Sequence, residues 1–244
     1  MLSIKNISKI YETKKKRVNA INNLSLDVSD GEIVCFLGPN GAGKTTSVEI
    51  IGNFITPTKG NIYLDGISIN EKKKYLEKVG VLFEGNKGVV KFLTPYENMI
   101  YFCGLRGINK RAISEKALMY IKELELEKYN NTRVNYLSKG NQQKVAIGCM
   151  LSMPVKLILL DEPTLGLDLD ISNKIMKLFK REAKAMNKIF IITTHDAEFV
   201  EDVADRIVVL KEGNSQFIGT PKEFIEKMGS KRLRDAYLKF FEVK

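Results

Sequence analysis

The sequence predicts an α/β fold: a mainly parallel sheet with an antiparallel β portion at its N-terminal end and an inserted α-helical lobe. Three observations lead there. Short apolar runs alternate with segments of helical periodicity, the pattern of strands joined by helices and hence of a parallel sheet. One stretch, residues 84–153, holds helical patterns and no good strand. The chain has 244 residues, 44% hydrophobic and 28% charged, which is enough to bury a large core.

In order along the chain, INNLSLDV places Leu24, Leu26 and Val28 on one face of a half-buried strand. EIVCFL follows as a buried strand that runs into a glycine-rich turn, with a helix expected over residues 43–54. VGVLF (79–83), LILL (157–160) and IFIITT (189–194) are three further apolar strands. Between the last two, Ile171, Ile175, Leu178 and Phe179 recur at helical spacing and define one face. Within residues 84–153, Thr94-Pro95-x-Glu97 reads as a capping box with proline at the first helical position. Ile113, Ala117, Tyr120, Ile121 and Leu124 form a second apolar stripe, and a third helix follows LSKG (137–140). Another capping box, Thr220-Pro221-x-Glu223, opens a C-terminal helix. The expected organisation is a single domain: an α/β core from 1–83 and 154–219, a helical lobe over 84–153, and a helical tail over 220–244.

The longest apolar runs, IVCFL and LILL, are far too short to span a bilayer, and the first residues contain no apolar secretory core. Cys35, Cys103 and Cys149 are odd in number and lack CxxC spacing, so they are expected to be reduced, buried thiols of a cytosolic protein. The net charge is +10, from 39 Lys+Arg against 29 Asp+Glu. Its basic runs are short (14–17, 72–74 and 231–234) and are expected to be solvated loops.

The chemistry begins with GPNGAGKT, which fits G-x-x-x-x-G-K-[ST] without deviation, after a strand and before a helix. Gly38, Pro39, Asn40, Gly41, Ala42, Gly43, Lys44, Thr45 and Thr46 make a loop whose backbone N–H groups converge on phosphate oxygens at a helix N-terminus. In such a loop Lys44 is expected to reach the β- and γ-phosphates of a nucleotide and the Thr45 hydroxyl to ligate Mg²⁺. LILLDEP ends a strand in two carboxylates. Asp161 falls beside the loop, where it can hold the magnesium or its waters, and Glu162 falls where it can take a proton from an attacking water. His195, the single histidine, follows another strand. The strand ends Leu37, Leu160 and Thr194 are expected on one carboxyl edge, where ligands bind in such folds, so His195 is expected to contact the γ-phosphate.

With these motifs in place, nearly the whole chain resembles the ATP-hydrolysing subunit of an ATP-binding cassette (ABC) transporter. LSKGN (137–141) is similar to that family's signature, usually LSGGQ. LGLDLD (165–170) resembles its D-loop, with Asp168 at the aspartate position, and TTHD its switch histidine. Tyr11 falls where the family places an aromatic against adenine; burial in the core would account for it nearly as well. The resemblance implies a P-loop NTPase core and two subunits, a homodimer, paired head to tail. Ser138 and the N–H groups at Gly140 and beyond then close over the γ-phosphate bound by the other copy. There are departures: Lys139 and Asn141 in the signature, Leu165 for a serine, and Glu84 where the family's Q-loop glutamine contacts magnesium and water. A carboxylate at Glu84 can still ligate magnesium.

The implied function is ATP hydrolysis coupled to a separate transmembrane permease, with the subunit peripheral on the cytoplasmic face of the membrane. LRDAYLKFFE (233–242) resembles the tails of exporter ATPases, which makes export the expected direction. The alternative is a non-transport ABC ATPase acting on nucleic acid or in a soluble assembly complex. Residues 45–137 leave no room for the long coiled coil of chromosome-maintenance members, and one cassette is present where translation-factor members have two. Nucleic acid is therefore not an expected partner. If so, added RNA or DNA will leave the ATPase rate unchanged, and any binding will weaken steeply with salt, as phosphate-dominated contacts do. RNA-stimulated hydrolysis with tight binding at physiological salt would instead favour the alternative.

Overall fold

The computed structural model describes residues 1–12, 17–85 and 88–242; Lys14, Lys15 and Lys16 of the first basic run lie outside them. The chain begins with β1 (Leu2–Glu12), β2 (Arg17–Val28), β3 (Ile33–Leu37), α1 (Lys44–Ile51), β4 (Lys59–Leu64), β5 (Ile67–Ser68), α2 (Lys72–Glu77) and β6 (Val79–Leu82). Then come α3 (Pro95–Gly104), α4 (Lys110–Glu123) and α5 (Lys139–Ser152). The last part holds β7 (Leu157–Asp161), α6 (Leu169–Met186), β8 (Ile189–Thr193), α7 (Ala197–Val203), β9 (Arg206–Lys211), β10 (Asn214–Gly219), α8 (Pro221–Lys227) and α9 (Leu233–Glu242).

Two sheets result. One is antiparallel, in the order β2-β1-β4-β5; the other runs β10-β9-β3-β8-β7-β6, parallel from β9 to β6 with β10 as an antiparallel edge. The strands β3, β7 and β8 are buried at every residue, and their side chains divide between two cores. Cys35, Leu37, Ile158, Leu160, Phe190 and Ile192 face the helices α3 to α9. Val34, Phe36, Leu157, Leu159, Ile189 and Ile191 face α1 and the antiparallel sheet. Burial on both faces is why these strands read as unbroken apolar runs.

The helical lobe is as the sequence predicts, and α3 opens with both halves of its capping box. The Thr94 hydroxyl accepts from the Glu97 N–H, and the Glu97 carboxylate accepts from the Thr94 N–H at 2.8 Å. All three cysteines are free and buried. The structure departs from expectation at several places. α1 stops at Ile51, three residues short of the expected end, because Asn53 turns left-handed at φ 60. The expected C-terminal helix is two, α8 and α9, separated at Gly229 with φ +58. β1, β4, β5, β9 and β10 lie outside the sequence reading, and β2 begins at Arg17 rather than near Ile21.

A buried ion pair joins the layers. Lys188, just before β8, donates to Glu182 of α6 at 3.1 Å and to the Leu151 carbonyl near the end of α5, also at 3.1 Å. Both charged side chains are 5% exposed. Burial pushes the Glu182 carboxyl up, but contacts with Tyr120 and Lys188 more than reverse this and leave it below the usual range. Glu182→Ala would strand a buried ammonium and is expected to cost about 3–5 kcal/mol in denaturant unfolding, whereas replacing both partners with Leu and Met should cost less. A single variant as stable as the parent would refute this role.

Candidate active site

β3 delivers the chain into the glycine loop, and α1 starts at Lys44. Gly43 has φ +105, and a Cβ there would stand 2.5 Å from the Ala20 carbonyl oxygen. Only glycine lets β2 pass this close behind the loop. Lys44 is 8% exposed, and its ammonium donates to the loop carbonyls of Gly38 (2.6 Å) and Pro39 (3.2 Å). Burial pushes the Lys44 pKa down, against the opposing pull of Glu162 and Asp161. The Thr45 hydroxyl donates to Asp161 Oδ2 at 3.1 Å, and the Thr193 hydroxyl donates to Asp161 Oδ1. Asp161 is thus a buried carboxylate held by two hydroxyls.

Glu162, the next residue, has φ +50, a left-handed conformation that costs a non-glycine residue about 1–3 kcal/mol. Its N–H is fixed on the Thr193 carbonyl at 2.9 Å. The Glu162 side chain is 13% exposed, and its Oε1 lies 3.0 Å from His195 Nδ1, on a ring that is 60% exposed. An ionised carboxylate only accepts, so Nδ1 carries the hydrogen of this contact. A strained, oriented carboxylate beside an imidazole is an arrangement suited to taking a proton from water.

A cleft of about 620 Å³, within the size range of small-molecule sites, brings most of these groups together, with His195 outside its lining. Asn40, Gly41, Gly43, Lys44, Thr45 and Thr46 line it together with Glu84, Asp161 and Glu162. Gly38, Pro39 and Ala42 are not in the lining; Gly38 and Pro39 supply the carbonyls that hold Lys44, and Ala42 is buried. Tyr11 is 41% exposed, which rules out a core role, and it lies outside the cleft lining. Its cross-strand partner Val18 does line the cleft, with Asn19, Ala20 and Glu212. The sequence reading missed these four. Val18 and Asn19 are exposed and Ala20 is half-buried, so no apolar pattern marks them.

Ser138, Gly140 and Asp168 assemble elsewhere. The Ser138 hydroxyl caps α5, accepting from the Asn141 N–H at 3.3 Å, and Asp168 caps α6, accepting from the Ile171 N–H at 2.9 Å. With Gly140 they line a second cleft, of about 740 Å³, that shares no residue with the first. A narrower groove of about 270 Å³ runs between the two, touching Glu84, Glu162 and Gly140.

The family described as ABC transporter matches residues 21–165. The ABC transporter ATP-binding protein NatA of Bacillus subtilis is 34% identical over 98% of this chain and 97% of its own length. The spermidine/putrescine import ATP-binding protein PotA of Borreliella afzelii is 31% identical over 96% of this chain and 67% of its own length. A solved dimeric structure of the cassette MJ0796 of Methanocaldococcus jannaschii, in a post-hydrolysis state bound to ADP and Pi, superposes with a TM-score of 0.81. It is 32% identical and covers 90% of this chain and 98% of that one. A motif-perfect phosphate loop, an acidic strand end and full-length relatives agree, and the chain belongs to the ABC transporter family as a nucleotide-binding ATPase subunit.

Proposed function

We propose that two copies of this chain pair head to tail, hydrolyse ATP between them, and drive a separate transmembrane permease in the direction of export. The observation that carries this reading is the division of the site into two clefts with no residue in common. One cleft has the phosphate loop and the carboxylates. The other has the N-terminal end of α5, where Ser138 and Gly140 lie and where the helix dipole favours an anion. A second copy, turned by a two-fold axis, would bring each kind of cleft against the other. The dimeric MJ0796 cassette supports the pairing.

Within this arrangement Lys44 and the loop amides hold the phosphates, and Tyr11 is assigned to the base on resemblance alone. Asp161 and the Thr45 hydroxyl offer hard oxygen donors, which suits Mg²⁺, an ion that takes one or two protein ligands and fills the rest with water and phosphate. Bound there, Mg²⁺ would neutralise phosphate charge. Glu162 takes the proton from water, and His195 holds the Glu162 carboxylate in place and faces the γ-phosphate. Ser138, Gly140 and Asp168 of the second copy close the site and exclude bulk water around the attacking one.

No described helix is long and apolar enough to cross a membrane. An apolar groove of about 390 Å³ between α2 and the helical lobe includes Phe54 and Leu105, 61% and 66% exposed. Such a patch marks an interaction site, and we assign it to the permease on the cytoplasmic face of the membrane. Export rests on the resemblance of the tail; PotA, by its name, serves import. Transport assayed in inverted vesicles carrying the partner permease decides direction: accumulation supports export, and loss supports import.

Two predictions test the chemistry. Glu162→Gln should slow hydrolysis by roughly 10²–10⁴-fold and trap an ATP-bound dimer, seen by light scattering. A variant that stays monomeric with ATP and Mg²⁺ at high concentration would sink the composite site. Glu84, exposed in the cleft beside Thr45 and Asp161, adds a charge that repels phosphate unless a cation lies between them. Two unit charges about 4 Å apart interact by about 4 kcal/mol at an effective dielectric of about 20. Glu84→Gln should therefore bind ATP more tightly than the parent in EDTA and about equally in saturating Mg²⁺. Identical metal dependence in the two proteins would leave Glu84 a docking residue only.

A further inference from the structure

The His195 segment is joined to the C-terminal helix by contacts that the proposed reaction does not use. α7 begins directly after His195 and Asp196, and Asp196 Oδ1 accepts from the N–H groups of Glu198 (3.1 Å) and Phe199 (3.0 Å). The placement of α7 therefore fixes the backbone on which His195 sits. α7 in turn grips α9. Glu201 accepts from the Leu233 N–H at 2.7 Å and pairs with Arg232 Nε at 3.1 Å. A carboxylate from one helix thus caps the first turn of another, where unsatisfied N–H groups favour negative charge. Beneath the cap, Leu233 and Ala236 are fully buried.

Glu198 also pairs with Arg234, at 3.2 Å, but both side chains are more than half exposed and such pairs contribute little. Glu201, at 22% exposure, is the firmer contact. The basic run 231–234 is thus engaged with α7 rather than simply solvated. One turn further along α9, Tyr237 is half-buried, and its phenol is pushed up by burial and by the negative charge of Glu162. α9 therefore lies within electrostatic reach of the hydrolysis centre.

We propose that Glu201 is a positioning residue for ATP hydrolysis, capping α9 onto α7 and thereby fixing the contact between His195 and Glu162. The inference rests on the roles given to Glu162 and His195 above. The His195 ring is largely exposed and makes its hydrogen bond to Glu162. A partner that displaced α9 would then alter hydrolysis without entering the nucleotide cleft.

The test compares Glu201→Ala and Glu201→Gln in the full chain, measuring kcat, KM and equilibrium nucleotide affinity. Glu201→Ala should lower kcat roughly tenfold, less than the ~10²-fold that a 1 Å misplacement costs. Nucleotide affinity should stay unchanged, since Lys44 and the loop amides carry it and no hydrogen bond or ion pair among the described residues joins them to the cap. Glu201→Gln keeps an oxygen that accepts from the Leu233 N–H, and should restore most of kcat. An unchanged kcat in Glu201→Ala, or an equal loss in Glu201→Gln, overturns the proposal. Should Glu201→Ala fail to fold, Glu201→Met takes its place, keeping the length of the side chain while removing the oxygens that accept from the Leu233 N–H. A lowered kcat at unchanged affinity then supports the proposal, and an unchanged kcat overturns it. Glu162→Gln is assayed alongside: full activity in that variant would overturn the underlying reading, whatever Glu201 does.

Discussion

The Asp161 carboxylate accepts hydrogen bonds from Thr45 at the start of α1 and from Thr193 at the end of β8, and the rest of the site is arranged around that joint. Thr45 and Asp161 are 116 residues apart in sequence. They meet because β8 lies between β3 and β7, with Phe36 and Asp161 both in register with Thr193. Parallel crossovers put all three strand ends on one edge. The positions of the glycine loop, the acidic pair and His195 are therefore set by sheet register, and loop flexibility has little to say about them. Two hydroxyl donors also satisfy a carboxylate that burial would otherwise penalise.

In the proposed assembly each chain holds one half of two sites. The meeting of subunits then becomes a step of the reaction. A membrane protein that holds two copies side by side supplies them to each other at a high effective concentration, without any new contact between them. In that proposed assembly the apolar groove beside α2 would give such a partner a place to hold, lined by residues of neither of the two proposed half-site clefts.

The residues legible in the sequence were those whose chemistry demands fixed types at fixed spacing. Gly43 had to be glycine because Ala20 passes behind it, and Asp161 and Glu162 had to end an apolar strand. The capping boxes at Thr94 and Thr220 were equally local, and both formed. What stayed hidden depends on pairing between distant segments. β1 breaks its alternation with irregular register between Ile4 and Ile10, so its apolar residues show no clean period. Val18 and Asn19 line the nucleotide cleft from an exposed strand end, where nothing apolar announces them. The cap of Glu201 on Leu233 spans 32 residues and two helices, and no spacing rule connects them. Tyr11, placed by resemblance, has the exposure a base-stacking ring needs, yet it stands outside the cleft lining.

The left-handed backbone of Glu162 sets the interests of the fold against those of the reaction. Glycine is at ease at that φ, and placing it there would relieve about 1–3 kcal/mol of local strain while deleting the carboxylate. A screen that rewards thermal resistance alone would therefore favour loss of the proposed base. Engineering a hardier version of this ATPase has to hold position 162 fixed and find its gains in caps, loops and surface charge far from the edge of the sheet.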